Sequence, residues 1–294
     1  MNKFTIKDLE NLSGIKAHTI RIWEQRYSFL KPQRTSTNIR YYSNHELKML
    51  LNISLLNKYG YKISHIDRMS NDELREKTVL LTSPAAEQER IVNELIQHMV
   101  DMETEQFENV LDQYIHVKGV EKTITHIIFP FLERIGILWL TDHINPAQEH
   151  LTTNIIRQKL IVGIDGVNTV LSLKTKMLLF LPENEHHEIG LLFMHYMLKS
   201  RGVKIINLGA NVPVKDLEYV IETKKPDYVY THLTTVMKEF NFDKFINNLK
   251  NRFPNQQILI SGLLAQTFEK KVVPPNIRFL KSFAEVQQFM AALT

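Results

Sequence analysis

The chain has 294 residues, 44% of them hydrophobic, which is enough for two or three packed domains. It has no cysteine, which excludes disulfides, thiolate zinc sites and cysteine nucleophiles. No apolar stretch is long enough to span a membrane and the N-terminus lacks the apolar core of a signal peptide, so we expect a cytoplasmic protein without membrane contact. Residues 1–70 carry 12 Lys and Arg against 5 Asp and Glu, whereas the remainder carries 24 against 27, so the positive charge is concentrated in the first quarter of the chain. Such a basic segment fits binding to a phosphate backbone, and the alternative is a basic surface that faces only solvent.

The first thirty residues predict two short helices separated by a tight turn at Ser13-Gly14. Apolar residues recur at helical spacing on both sides of this turn, and Trp23 and Tyr27 fit the core. The pattern is typical of a helix-turn-helix, whose second helix enters the DNA major groove. The polar side chains of that helix available to bases or phosphates are Lys16, His18, Thr19 and Arg21.

The next stretch, SFLKPQRTSTNIRYYS, predicts a small two-stranded wing. Arg34, Arg40 and Tyr41 are spaced along it so that they can meet a DNA backbone. Helical patterning then resumes through about residue 70. We therefore predict a winged helix-turn-helix domain over residues 1–75.

This order of motifs resembles the MerR family of transcriptional regulators. The resemblance covers about 70 residues and rests on Arg21-x-Trp23-Glu24, Arg26-Tyr27, Pro32-x-Arg34 and Arg40-Tyr41-Tyr42. It implies a dimeric protein that binds double-stranded DNA through His18, Arg21, Arg34, Arg40 and Tyr41. Ser28 and Asn38 stand where the family often has glycine, and asparagine tolerates a positive φ.

A polar segment, residues 76–84, predicts a linker, and the sequence from 85 to 168 is helical throughout. Apolar faces at helical spacing predict a four-helix bundle. From residue 169 to 294, five short β-rich runs alternate with helices, which predicts a Rossmann-like, flavodoxin-like parallel sheet of five strands. Ligands of such sheets bind beyond the carboxyl ends of the strands, where the stretch LPENEHHEIG follows the first strand.

His187 in this stretch fits three chemistries. A zinc site would require further ligands, whereas the neighbouring His186, Glu185 and Glu188 point in different directions along a loop. A general base would require a nucleophile or substrate. An axial ligand to a corrinoid cobalt requires only one imidazole, with its other nitrogen held by a carboxylate such as Glu185.

The third chemistry matches a resemblance to cobalamin-binding domains, whose first loop has an acid-x-His-x-x-Gly pattern. Here Glu185, His187 and Gly190 match it, with Glu where the wider family usually has Asp. The resemblance implies that His187 is the lower cobalt ligand. The resemblance continues at the second strand end with Gly209 of LGANVP. At the third, Thr231-His232-Leu233 corresponds to a Ser-x-Leu pattern that lines the channel of the nucleotide tail. At the fourth, Ser261-Gly262 corresponds to a Gly-Gly pair.

The bundle contains Trp139, nine intervening residues, and then Glu149-His150. This spacing resembles the cobalamin-dependent light-sensing repressors of the MerR family. The resemblance implies that Trp139 shields an upper adenosyl group and that Glu149 accepts its ribose hydroxyls. Leu140 replaces a histidine that takes over the cobalt after photolysis in a relative, and His143 or His150 are the substitutes.

These features together predict a DNA-binding regulator, not an enzyme. We expect a nucleoid-associated repressor whose oligomeric state, dimer or tetramer, and DNA affinity depend on adenosylcobalamin, or alternatively methylcobalamin, and respond to light. Thr231, Ser261 and Leu140 favour an alternative, a MerR-type regulator with a degenerate cobalamin pocket that a protein partner controls. A corrinoid methyl carrier would share the bundle and the sheet but has no use for a winged helix.

Overall fold

A computed structural model of the chain describes residues 2–139, 144–234, 240–268 and 273–293. Leu140 and His143 lie outside the described residues, as do the side chains of residues 137–139. The chain divides into two compact units, residues 1–155 and 156–294, which are described separately. Within the described ranges, no helix is both long enough and apolar enough to cross a membrane.

The first unit begins with the predicted winged helix-turn-helix. Capping boxes start three of its helices, Thr5 with Asp8, Ser43 with Glu46 and Ser70 with Glu73. Gly14 ends the first helix with φ 73°, as the turn requires. Its elements are α1 (Ile6–Ser13), α2 (Ala17–Arg26), β1 (Gln33–Arg34), β2 (Arg40–Tyr41), α3 (Asn44–Lys58), α4 (Ile63–Ile66) and α5 (Asn71–Val79). Because α5 extends to Val79, part of the segment predicted as a linker is helical.

Four longer helices follow in the region where the sequence predicts a bundle. They are α6 (Pro84–Asp101), α7 (Thr104–Thr123), α8 (Phe129–Trp139) and α9 (Pro146–Asp165), with a π-helical turn at Ile124–Ile128 between α7 and α8. Gly119 interrupts α7 with φ 80°. The side chains of Phe107 and Phe131 are buried and meet edge to face at 5.4 Å, so aromatic packing joins α7 to α8.

The second unit contains the predicted five-stranded parallel sheet. Its strand order is β4-β3-β5-β6-β7, the flavodoxin-like order, so the direction of winding reverses between β3 and β5. Its elements are β3 (Lys176–Phe180), α10 (Ile189–Ser200), β4 (Lys204–Asn207), α11 (Val214–Lys224), β5 (Tyr228–His232), α12 (Phe242–Arg252), β6 (Gln257–Ser261), α13 (Leu263–Thr267), β7 (Ile277–Leu280) and α14 (Phe283–Ala291). The fold class predicted from the sequence is confirmed.

The side chains of β5 alternate between the two faces of this sheet. Val229 joins the apolar core that α11 and α12 cover, together with Leu217 and Leu249. Tyr228 instead packs edge to face on Phe289 of α14, with ring centroids 5.2 Å apart. Residues at even positions of β5 therefore lie on the side of α14, and those at odd positions lie on the side of α11 and α12.

Candidate functional site

The second helix of the head presents the polar surface that the sequence predicts. Lys16, His18 and Arg21 are exposed and Thr19 is half-buried, whereas Trp23, only 7% exposed, belongs to the core as predicted. Gln25 is also exposed, seven residues after His18, and so shares the face of His18 and Arg21. The sequence reasoning missed Gln25, although helical spacing alone would have indicated it.

The wing places two arginines directly opposite each other. Arg34 pairs with Arg40 across the antiparallel ladder, and both side chains are exposed. Asn38 has a φ of 65°, as its place in the turn predicts, and Arg34 donates to its Oδ1 (2.7 Å) and backbone carbonyl (3.2 Å). Because like charges across a ladder repel, an anion beside them would stabilise this arrangement.

Contacts with α1 and α2 fix the wing in place. Tyr42 exchanges both backbone hydrogen bonds with Phe4, and its hydroxyl donates to Glu24 on α2. Burial and the Glu24 carboxylate raise the pKa of the Tyr42 phenol. Arg40 Nε lies 3.6 Å from the same carboxylate, and Tyr41 donates to Gln33 at 2.5 Å. The predicted wing residues Arg34, Arg40 and Tyr41 therefore lie together on one ordered ribbon.

A half-buried arginine of the bundle reaches the last turn of α1 in the helix-turn-helix. Arg134 on α8 donates to the backbone carbonyl of Leu12, near the end of α1, at 2.8 Å and to Asn93 Oδ1 at 2.5 Å. Burial lowers the pKa of its guanidinium. Asn93 donates in turn to the carbonyl of Leu51 on α3. The side chains of Arg134 and Asn93 thus join two helices of the head, α1 and α3, to α8 and α6.

Further polar contacts join the head to the bundle within the same unit. Asp101 of α6 accepts from Asn44 at 2.9 Å and pairs with Lys48, both on α3. Gln148 is buried, donates to the carbonyl of Val100 at 2.7 Å and accepts from Asn2 at 3.2 Å. A cavity of about 520 Å³ lies between the turn after α1 and the bundle, with Arg134 in its wall.

The loop after β3 holds the predicted ligand in a defined orientation. The Glu185 carboxylate lies 2.6 Å from His187 Nδ1 and accepts from the backbone N–H of His187 at 2.9 Å. Glu185 is buried, whereas the His187 side chain is 45% exposed. Because the carboxylate occupies Nδ1, the nitrogen left to bind a metal is Nε2. His186 is exposed, as a bystander would be.

The loop after β4 supports this arrangement from the neighbouring strand end. Pro182 and Val212 form a parallel β-bridge, and the Val212 N–H donates to the Leu181 carbonyl at 2.9 Å. Asn211 donates its N–H to the carbonyl of Glu185 at 3.2 Å. Gly209 has a φ of 74°, which explains a glycine at this position. The structure therefore brings Glu185, His187 and Gly209 to one edge of the sheet.

The end of β5 differs from what the family pattern implies. His232, which the sequence reasoning did not nominate, lies against Gly190, and its Nδ1 is 2.8 Å from Ser261 Oγ. Thr231 lies on the opposite face, and its buried Oγ1 has no hydrogen-bond partner among the described residues. The structure thus groups Gly190 and Ser261 with His232 and leaves Thr231 apart. The contacts of His232 with Gly190 and Ser261 show which face of β5 it occupies. These contacts exist only in the folded sheet and cannot be read from the sequence.

Gly262 allows two backbone segments to approach closely. It has a φ of 94°, and a β-carbon there would come within 2.3 Å of the carbonyl oxygen of Leu233. Leu233 in turn donates its N–H to the carbonyl of Ser261 at 2.9 Å. Leu233 is buried in the apolar core. Gly262 and Leu233, both predicted site residues, therefore set the backbone path at this strand end.

The residues of the cap motif lie at the end of α8 and the start of α9. Trp139 is the last residue of α8, and its side chain is outside the described set. Glu149 is half-buried, with Oε2 3.2 Å from Nδ1 of the exposed His150. Among the described residues, no three His, Asp or Glu side chains converge as a metal site would require.

Comparison with known proteins finds family matches for the head and for the helical bundle. Residues 4–73 match the MerR HTH family of regulatory proteins, and residues 91–162 match the B12 binding domain. The chain is therefore similar, in this order, to a MerR-type DNA-binding module and to a B12-binding module.

Two relatives match this chain over nearly their whole length. The chain is 25% identical to the HTH-type transcriptional repressor CarA of Myxococcus xanthus, covering 96% of this chain and 94% of that protein. It is also 25% identical to the repressor CarH of the same organism, covering 90% and 91%. The monomethylamine corrinoid protein of Methanosarcina barkeri matches with a TM-score of 0.52 at 12% identity, over 70% of this chain and 100% of that one, which supports the fold alone.

Proposed function

We propose that this protein represses transcription by binding operator DNA, and that a corrinoid held on His187 sets its DNA affinity. The observation that carries the proposal is the Glu185–His187 pair at the edge of the sheet where the winding reverses. In this proposal the exposed face of α2 reads the major groove and the wing arginines approach phosphates. The protein works with DNA in the cytoplasm and has no catalytic role.

His187 would hold cobalt through Nε2, since Glu185 fixes Nδ1 and raises the basicity of the ring. Trp139, Glu149 and His150 are the proposed contacts of an upper adenosyl group, because an indole can shield it and a carboxylate can accept ribose hydroxyls. Adenosylcobalamin is therefore the proposed form. When bound, such a group supplies a light-sensitive cobalt–carbon bond, and the light response is part of the proposal.

The contacts between bundle and head support a route from cofactor to DNA. Arg134 lies on α8, five residues before Trp139, and Gln148 directly precedes Glu149. Their partners in the head are the carbonyl of Leu12 and the side chain of Asn2. A displacement of either helix end would therefore disturb the helix-turn-helix directly. The cofactor is further proposed to favour an oligomer, whose several heads raise the effective concentration on DNA.

The test begins with binding of the cofactor. Purified protein is mixed with adenosylcobalamin in the dark, desalted, and examined for corrinoid absorbance. We expect retention by the wild type and by His186→Ala, and loss of retention by His187→Ala. Equal retention by His187→Ala would remove His187 from the ligand role. Gel shifts on an operator selected from random duplex DNA, with cofactor in the dark and after illumination, then test control of DNA binding.

The route from bundle to head has its own test. Arg134→Ala should retain corrinoid normally, whereas the ratio of DNA affinities with and without cofactor should approach one. Arg90→Ala is the matched control, because Arg90 makes only a surface pair with Glu94 at 3.4 Å on α6. If the affinity ratio of Arg134→Ala equals that of the wild type, this route is wrong.

A second candidate is the same DNA-binding repressor controlled by a protein partner instead of a corrinoid. The observation that favours it is His232, whose ring fills the space beside Gly190. Intact DNA binding together with no corrinoid retention by the wild type would select this candidate.

A further inference from the structure

The space between Gly190 and Ser261 is filled by an imidazole. A β-carbon built on Gly190 would come within 2.3 Å of both Cδ2 and Nε2 of His232, so the ring lies directly against the glycine. The resemblance to cobalamin-binding domains implies a nucleotide-tail channel at these strand ends, lined by small residues. In this chain the His232 ring occupies the space beside Gly190 of α10, where the channel would lie.

Hydrogen bonds hold the imidazole in this position. His232 Nδ1 lies 2.8 Å from Ser261 Oγ and 3.2 Å from the Tyr230 hydroxyl, and these two hydroxyl oxygens are 2.5 Å apart. Tyr230 is buried. If His232 rotated away, two enclosed hydroxyls would lose a shared partner. Ser261, which replaces a glycine of the family pattern, is therefore one of the groups that keep the ring in place.

The partly buried position of the imidazole also favours its neutral form. Burial lowers the pKa of His232 to about 4, against a smaller opposing effect of Glu185. A neutral ring loses little hydration when it packs on the Gly190 backbone. Nδ1 faces the two hydroxyls, and Nε2 lies beside Gly190.

We propose that His232, held by Ser261 and Tyr230, closes the tail channel, so that the protein selects its corrinoid by the cobalt and the macrocycle and not by the nucleotide tail. This inference rests on the proposed function. The ligand class then includes cobinamides, which have no nucleotide tail, and these bind at least as tightly as cobalamins. His232 is thus a specificity-determining residue.

The experiment compares dissociation constants of full-length protein for cobinamide and for cobalamin carrying dimethylbenzimidazole, followed by absorbance in the dark. For the wild type we expect a ratio of cobalamin to cobinamide dissociation constants of one or more. In His232→Gly, and in His232→Ser if the glycine variant unfolds, the ratio should fall at least tenfold, because the space beside Gly190 opens. A wild-type ratio below one, or a ratio that neither variant lowers, would overturn the inference.

Two controls separate this inference from the proposed function. Thr231→Val removes a hydroxyl on the opposite face of the same strand, and it should leave the ratio unchanged. His187→Ala should lose both corrinoids alike. If the wild type binds neither corrinoid, the proposed function itself fails. Binding of both that depends on His187, with a ratio below one, overturns only the closed channel.

Discussion

On the head, His18, Arg21 and Arg34 are exposed, and their partners are few and local. At the carboxyl edge of the sheet, Glu185 instead bonds His187, and His232 bonds Ser261. The head is built for a large partner that supplies counter-charges from outside the protein. Apart from the buried Thr231 Oγ1, these polar groups of the sheet edge bond one another, so a change there affects folding as well as binding. Substitutions in the two regions should therefore have different signatures.

The largest effect is expected at Gly262. Gly262→Ala places a β-carbon against the Leu233 backbone at a φ of 94°, and strain with overlap should cost about 3 kcal/mol or more. Hydrogen exchange of β5 and β6 amides measures this loss.

Gly136→Ala is the matched control for that substitution. Gly136 lies in α8 with no atom within 4 Å of an added β-carbon, so alanine should stabilise the helix by up to about 1 kcal/mol. Equal protection of the β5 amides in Gly262→Ala and wild type would contradict the close backbone approach described for Gly262.

The next largest effect is expected at Glu185. Glu185→Gln keeps the shape of the side chain but removes the charge beside His187 Nδ1, and changes of this kind typically weaken metal binding by about 10-fold to 100-fold. Corrinoid titration in the dark measures the loss. Glu183→Gln, an exposed acid on the same loop, is the control. Equal affinities of the two variants would show that the carboxylate does not orient the ligand.

The head was predictable from the sequence because its signals are local. Ser13-Gly14, the alternation of wing residues and the turn at Asn38 each specify a conformation within a few residues, and Asn38 does adopt a positive φ. The parallel sheet was also predictable, because hydrophobic residues recur at a different spacing in strands than in helices. The predicted linker was less accurate, because the polar surface of α5 resembles the composition of an irregular segment.

The sheet edge was predictable only in part. The loop of Glu185 and His187 was found because both residues lie in one short motif. His232 was missed because its importance comes from Gly190 and Ser261, which are distant in sequence and meet it only across the folded sheet. A shift of one position along β5 exchanges the two faces, and the Ser-x-Leu resemblance indicated Thr231.

A smaller effect is expected from pH. The native pKa of His232 is about 4, below the ordinary value of 6.5, so the native state binds fewer protons than the unfolded state between these values. Stability contributed by the neutral imidazole is therefore complete above pH 6.5 and is lost as the pH falls towards 4, by about 1 to 3 kcal/mol. Exchange protection of β5 at pH 7, 6 and 5 measures it. In His232→Gln the pH dependence should be weaker, and an identical pH dependence would contradict the enclosed, neutral imidazole.

The smallest effect is expected on the wing, where only DNA binding should change. Arg34→Ala removes one exposed charge opposite Arg40, so the affinity for all duplex sequences should fall by about 1 kcal/mol and the salt dependence by about one phosphate contact. Unfolding stability should stay within about 0.5 kcal/mol of the wild type, because Arg34 bonds only Asn38 in the exposed turn. Arg75→Ala on α5 is the matched exposed control. A loss of affinity confined to one sequence would instead identify Arg34 as a base-reading residue, and an unchanged salt dependence would exclude it from the phosphate contacts.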